Sequence, residues 1–184
     1  MNRWSTCASR QIVPSRRSFL AGVACAAALP GLSCAQAGAP ALPEDVGFMR
    51  MALAEARLAD FPFGAVIVRD GAVIARGRNL GRTNQDPTAH GEMVAIRRCL
   101  AEHGPAALRA STLYTSGEPC AMCMGAILWC RFRRMVFAAS VAQLATRMDQ
   151  IMISSADLAA RAPFVPISIT GGVLADEAMA LFAK

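Results

Sequence analysis

Lysine is almost absent: the only one in 184 residues is Lys184, and histidine occurs only at positions 90 and 103. Arginine is therefore the main source of positive charge, and any imidazole-dependent site has only two candidates. The sequence has no internal repeat and no low-complexity linker. It also has no apolar run near the roughly 20 residues that a bilayer span needs. These absences set aside solenoids and disordered linkers. The length gives room for one domain with a sizeable core rather than two.

The first 37 residues form a distinct stretch. Arg3, Arg10, Arg16 and Arg17 precede any acidic residue, the apolar run FLAGVACAAAL covers 19–29, and Ala35-Gln36-Ala37 follows. A basic opening, a short apolar run and a small-residue site in that order predict a secretory signal. SRRSFL resembles a twin-arginine signal, so export to the periplasm is expected, with 38–184 as the mature domain. Ser33-Cys34 offers a lipoprotein signal as the lesser alternative, because Gly31 stands where a lipobox usually has Leu. The formal charge of +6 then shrinks: 15 basic and 13 acidic residues follow Ala37, an excess of +2. A domain so close to neutral has no general electrostatic footprint for nucleic acid. Arg131, Arg133 and Arg134 form a local basic cluster, expected to be a solvated turn after a helix.

Four of the seven cysteines lie beyond residue 37. Cys99 and Cys130 sit in apolar, helix-like sequence, where a free cysteine packs as a small hydrophobe. Cys120 and Cys123, in EPCAMC (118–123), have the spacing of a redox pair or of two metal ligands.

Residues 44–60 are rich in helix formers and predict a helix. FGAVIVRDGAVIARGRN predicts a β-hairpin turning at Asp70-Gly71. A helix is expected from about His90 to Glu102, stopping at His103-Gly104-Pro105, and STLYTS (111–116) predicts a strand. GEP opens a further helix to about Cys130, with Pro119 suited to its first turn. RMVFAA predicts a strand, SSADLAARA a helix, VPISIT a strand and GVLADEAMALFAK a C-terminal helix. Strands alternating with helices after one hairpin imply a mixed sheet with helices on both faces.

The polar residues gather at two helix starts. Cys120 and Cys123 fall at i and i+3 in a first turn, where free N–H groups and the helix dipole favour thiolate. His90 is the natural third ligand, because His103 sits at a helix end where a cation needs no further role. One imidazole and two thiolates suit zinc and leave a fourth position open. Glu92, two residues after His90, is not placed to ligate beside it but can reach water at the metal. In order, the residues match H-x-E…P-C-x-x-C, the signature of zinc nucleobase deaminases.

PFGAVIV (62–68), Asn79, DPTAHGE (86–92), LYTSGEPCAMCMGAILW (113–129) and VFAA (136–139) together resemble the cytidine deaminase superfamily, particularly its guanine deaminase and tRNA adenosine deaminase branches. The resemblance covers nearly all of 38–184. It implies a three-layer α/β/α sandwich on a mixed five-stranded sheet, one tightly bound zinc per chain and a homodimer. By position it makes His90, Cys120 and Cys123 the ligands, Glu92 the proton shuttle and Asn79 a substrate contact. Two departures bear on substrate: Gly91 stands where those branches more often have Ala, and Gly117 replaces a Cys common in guanine deaminases.

The implied reaction is hydrolytic loss of ammonia from an amidine-like base, with Glu92 moving one proton from water to the ring nitrogen and then to the leaving amine. The preferred substrate is a free base or nucleoside, guanine or a related purine first, cytosine types second and tRNA adenosine third. A tRNA would demand several phosphate-binding cations. Asn79 can pair with an amide-like edge, and Phe63 can supply an apolar wall. Asp149 reads either as an acceptor for purine N–H groups or as a surface residue of a helix-like stretch. Two rivals use the same cysteines: a periplasmic CxxC thiol oxidoreductase, which leaves His90, Glu92 and Asn79 idle, and a structural zinc module, which lacks a fourth ligand at suitable spacing.

Overall fold

Asp70 and Gly71 reverse the chain with φ of 50° and 76°, the left-handed pair that a two-residue hairpin requires. They join β1 (Gly64–Arg69) to β2 (Ala72–Arg78) in antiparallel register, Gly64 opposite Arg78, with a bulge at Ile67/Val68. The hairpin is one edge of the sheet in a computed structural model that describes residues 38–183. The predicted export signal, its cysteines and Lys184 lie outside those residues.

β1 also pairs antiparallel with β3 (Thr112–Gly117), which runs parallel to β4 (Arg134–Ala139), itself parallel to β5 (Ser168–Thr170). The order β2-β1-β3-β4-β5 is the mixed five-stranded sheet expected. Helices cover both faces, completing the α/β/α sandwich. On one face α2 (Gly91–His103), α3 (Pro105–Arg109), α4 (Ala121–Trp129) and α6 (Ser155–Ala160) pack over Ile67, Leu113 and Met135. On the other, α1 (Asp45–Arg57), α5 (Val141–Leu144) and α7 (Ala175–Met179) pack over Val66, Tyr114 and Val136. Successive strand residues point to opposite faces, so these neighbours serve two cores. Cys99 is fully buried in the first core and Cys130 packs against it, both as free thiols. No helix among the described residues is long and apolar enough to cross a membrane.

Several boundaries differ from the sequence expectation. Gly104, at φ 71°, breaks the chain after His103, and Pro105 then opens the short helix α3 rather than a loop. β5 is half the predicted length, because Pro166 has no N–H to give and pairing starts only where Ser168 N–H donates to the Arg133 carbonyl, at 3.1 Å. The C-terminal helix starts late: Leu174 is held at φ 60°, and after α7 the chain tightens into a 3₁₀ turn over Ala180–Phe182. The region 145–152, expected to be helix-like around Asp149, is turn and loop.

Arg134 is not part of a solvated turn. Its Nη1 and Nη2 donate to Asp45 Oδ1 and Oδ2 at 2.6 and 2.8 Å, and Tyr114 Oη–H donates to the same carboxylate at 2.9 Å. Asp45 is fully buried. Burial pushes its carboxyl up, but the hydrogen bonds from Arg134, the Leu42 N–H and Tyr114 outweigh that and hold it below the usual carboxylate range. The pair ties α1 to the middle of the sheet.

The end of the sheet that carries the site follows from strand directions. β3 runs opposite to β1, so the start of β1, the end of β2 and the end of β3 meet. Phe63, Asn79 and Glu118 are the residues just beyond those three strand ends. Gly77 lets α2 join them: a Cβ there would fall on the backbone of Gly91 and Ala95.

Candidate metal centre and substrate pocket

His90 and Cys120 are both helix caps. Each is extended, at φ −66° and ψ 157° for His90 and φ −62° and ψ 168° for Cys120, and they precede α2 and α4 respectively. Met124 N–H closes on the Cys120 carbonyl at 2.8 Å, which makes Cys120 the cap and moves Pro119 to the residue before it, outside the first turn. Cys123, three residues into α4, completes the set.

His90 Nδ1 lies 3.6 Å from Sγ of Cys120 and 3.6 Å from Sγ of Cys123. All three ligand atoms fall within 4.8 Å of one another, the one such group of three among the described residues. Tetrahedral bonds of about 2.05 Å to nitrogen and 2.3 Å to sulfur separate N from S by about 3.6 Å. The donors and their spacing therefore fit zinc. His103 stays apart at the far end of α2, its Nε2 3.0 Å from the Ile74 carbonyl oxygen.

The three side chains perturb one another's ionisation. The Cys123 thiol donates to Cys120, which pulls the Cys120 thiol down to about 4 against its burial, with His90 adding to the pull. Donating that hydrogen bond and being buried push the Cys123 thiol up. His90 is raised, chiefly by its hydrogen bond to Cys120 and against burial. Burial pushes the Glu92 carboxyl up, opposed by a backbone N–H of its own helix.

The cluster opens onto a cavity of about 550 Å³, within the range of small-molecule sites. Glu92, 5% exposed, lines it beside His90 and Cys120. Asn79 lines it too; its Oδ1 accepts from Gly81 N–H at 3.0 Å, which fixes the carboxamide with its NH₂ still available. Its backbone is stitched to the start of β1, where Asn79 N–H donates to the Phe63 carbonyl at 2.9 Å. Phe63 forms part of the wall, its ring 5.3 Å from that of Phe182 at 61°. Asp149 is exposed and lines the cavity with Met148, Gln150 and Ile151. All seven predicted site residues thus meet at one cavity or its metal-binding cluster.

Sequence reasoning missed other lining residues. Arg82 lies 4.5 Å above the Phe61 ring at the cavity wall, and nothing local marks that pair. Glu118 was visible only as part of EPCAMC; its partners are far along the chain. Gly91 has a steric reason to lack a side chain, because a Cβ would come within 3.0 Å of the Phe63 carbonyl oxygen.

Comparison with known proteins agrees with this geometry. A guanine deaminase of Bacillus subtilis is 54% identical over 78 residues, 42% of this chain and 50% of that protein. A tRNA-specific adenosine deaminase of Agrobacterium fabrum is 43% identical over 102 residues, 53% of this chain and 67% of that protein. The chain thus spans about half the length of the Bacillus relative. The structure of a guanine deaminase from Nitrosomonas europaea superposes with a TM-score of 0.62 at 28% identity, covering 78% of this chain and 84% of that one. Residues 43–139 match the cytidine and deoxycytidylate deaminase zinc-binding region, and the chain belongs to that family.

Proposed function

We propose that the protein is a zinc-dependent hydrolytic deaminase of a free nucleobase or nucleoside, with guanine or a related purine preferred. The observation that carries this reading is Glu92, buried beside the His90, Cys120 and Cys123 cluster on the wall of a cavity sized for a small heterocycle. Zinc held by those three side chains supplies Lewis acidity for activating water.

The chain's own residues do the rest. Glu92 Oε takes the proton that water gives up on attacking the amine-bearing carbon and places it on the adjacent ring nitrogen. It then takes the remaining proton of the newly attached hydroxyl and passes it to the departing amine, so that base and water become the oxo base and ammonia. Asn79 Nδ2 donates to the substrate's acceptor edge, and the second lone pair of Oδ1 accepts from it. Phe63 covers the ring and excludes water, while Asp149 accepts from purine N–H groups.

The tRNA reading draws support from the Agrobacterium relative, and cytosine remains the second small-base candidate. Charge favours a small substrate: Arg82 is the single Lys or Arg among the described residues lining the cavity, whereas a tRNA needs several phosphate contacts. Parallel assays of ammonia release from guanine, adenine, cytosine, their nucleosides and an anticodon stem-loop decide. The proposal expects a free base or nucleoside to be turned over; activity confined to the stem-loop overturns it.

Periplasmic export by the twin-arginine route is proposed on SRRSFL and the apolar run after it. Replacing Arg16 and Arg17 by Lys should hold the protein in the cytoplasm, and unchanged periplasmic yield would refute the route. A homodimer is proposed on the family resemblance, with mass in solution as its check.

A further inference from the structure

Glu118 lies between β3 and the Cys120 cap and is 8% exposed. Its backbone continues the sheet, since Glu118 N–H donates to the Ala139 carbonyl at 2.7 Å. Its carboxylate reaches elsewhere. Oε2 accepts from Val141 N–H at 2.8 Å and Oε1 from Ser155 N–H at 2.7 Å. Those are the first residues of α5 and α6, and the chain between these helices carries Met148, Asp149, Gln150 and Ile151, one wall of the cavity. One side chain, two residues from a metal ligand, thus closes both ends of that segment.

We propose that Glu118 is a positioning residue that holds this wall against the metal-binding cluster and so sets the substrate affinity of the pocket. The claim rests on the deaminase reading for its substrate but not for its geometry. Both oxygens are in use, and both donors are backbone N–H groups at helix starts, which have no partner within their own helices. A carboxamide cannot reproduce the arrangement: it has one acceptor oxygen, and its NH₂ would confront the other N–H. Losing one tether frees one end of the segment while the ligands on α2 and α4 keep their places.

Glu118→Gln is the direct test, read by zinc content, steady-state kinetics and trypsin cleavage after Arg147, an exposed residue between the two tethers. The expected result is one zinc per chain, a KM raised about tenfold with kcat within about threefold, and cleavage accelerated about tenfold, the scale of one lost buried hydrogen bond. Cleavage at the parent rate overturns the clamp. Faster cleavage with unchanged KM overturns its role in affinity, and loss of zinc with a matching fall in kcat makes Glu118 a support of the metal site instead. Should Glu118→Gln not fold, Ser155→Pro removes one donor at a helix position that accepts proline, after an extended Ser154 at ψ 154°, and the same readings apply. A parent protein that releases no ammonia from any base sinks the deaminase reading, and the cleavage comparison then decides the clamp alone.

Discussion

His90 Nδ1 sits 3.6 Å from Cys120 Sγ although 30 positions separate the two residues. Each is the cap of a different helix, and the sheet brings the two helix starts together, so the chain fold holds the ligand spacing. Removing one sulfur therefore removes a donor that the remaining residues cannot replace.

Cys120→Ser is expected to lose zinc and stability together. A ligand present at about a thousand times its Kd stabilises by about 4 kcal/mol, so the variant should melt about 10 °C below the zinc-loaded parent. The chelator-treated parent should melt near the variant. Metal analysis with thermal melts checks this, and a variant that retains one zinc per chain contradicts the ligand set.

Asp45 and Arg134 give the fold an acid-sensitive contribution. Because the folded carboxyl titrates below its ordinary value, its contribution is complete above the unfolded pKa of about 4 and is lost as pH falls through the folded value. Asp45→Asn strands the Arg134 guanidinium and should cost about 3 kcal/mol near neutrality. Urea midpoints of parent and variant should differ clearly at pH 7 and converge as the pH is lowered through the acid range. An equal difference throughout would show that the charge of Asp45 is not what stabilises the protein.

Gly117 adjoins Phe63 at the cavity wall. A Cβ at 117 would meet Leu144 Cδ1 and Phe63 Cε1 at 3.0 Å each. In this chain the Phe63 ring and the Leu144 methyl take the room that a side chain there would need. Gly117→Ala should lower stability by about 1 kcal/mol through overpacking and raise KM severalfold by moving Phe63, with zinc content unchanged. A parent-like KM would show that Phe63 does not shape the substrate site.

The metal-binding cluster was legible in the sequence because its signals are local: a CxxC behind a proline, a histidine two residues before a glutamate, and only one competing histidine. The hairpin was legible for the same reason, Asp70-Gly71 being able to adopt the positive φ it needed. Helix α5 left a signal that went unused, since Ser140 and Gln143 form a reciprocal capping box, but four residues carry too little periodicity to read as a helix. The Asp45–Arg134 pair joins positions 89 apart, and the tethers of Glu118 span 23 and 37. No local pattern encodes such pairings; the sheet order decides them. Asp149 was expected in a helix-like stretch, yet its segment is held at its ends and runs as loop between them.

The most direct measurement on the central claim pairs zinc content with ammonia release for Glu92→Gln. Removing a general acid–base group costs about 10²–10⁴ in rate, and Glu92 lines the cavity without belonging to the group of three metal-binding side chains. Glu92 as the proton shuttle predicts one zinc per chain, a melting temperature close to that of the parent, and ammonia release from the preferred base reduced by at least about 10²-fold. A zinc-loaded Glu92→Gln protein that releases ammonia at the parent rate would contradict it.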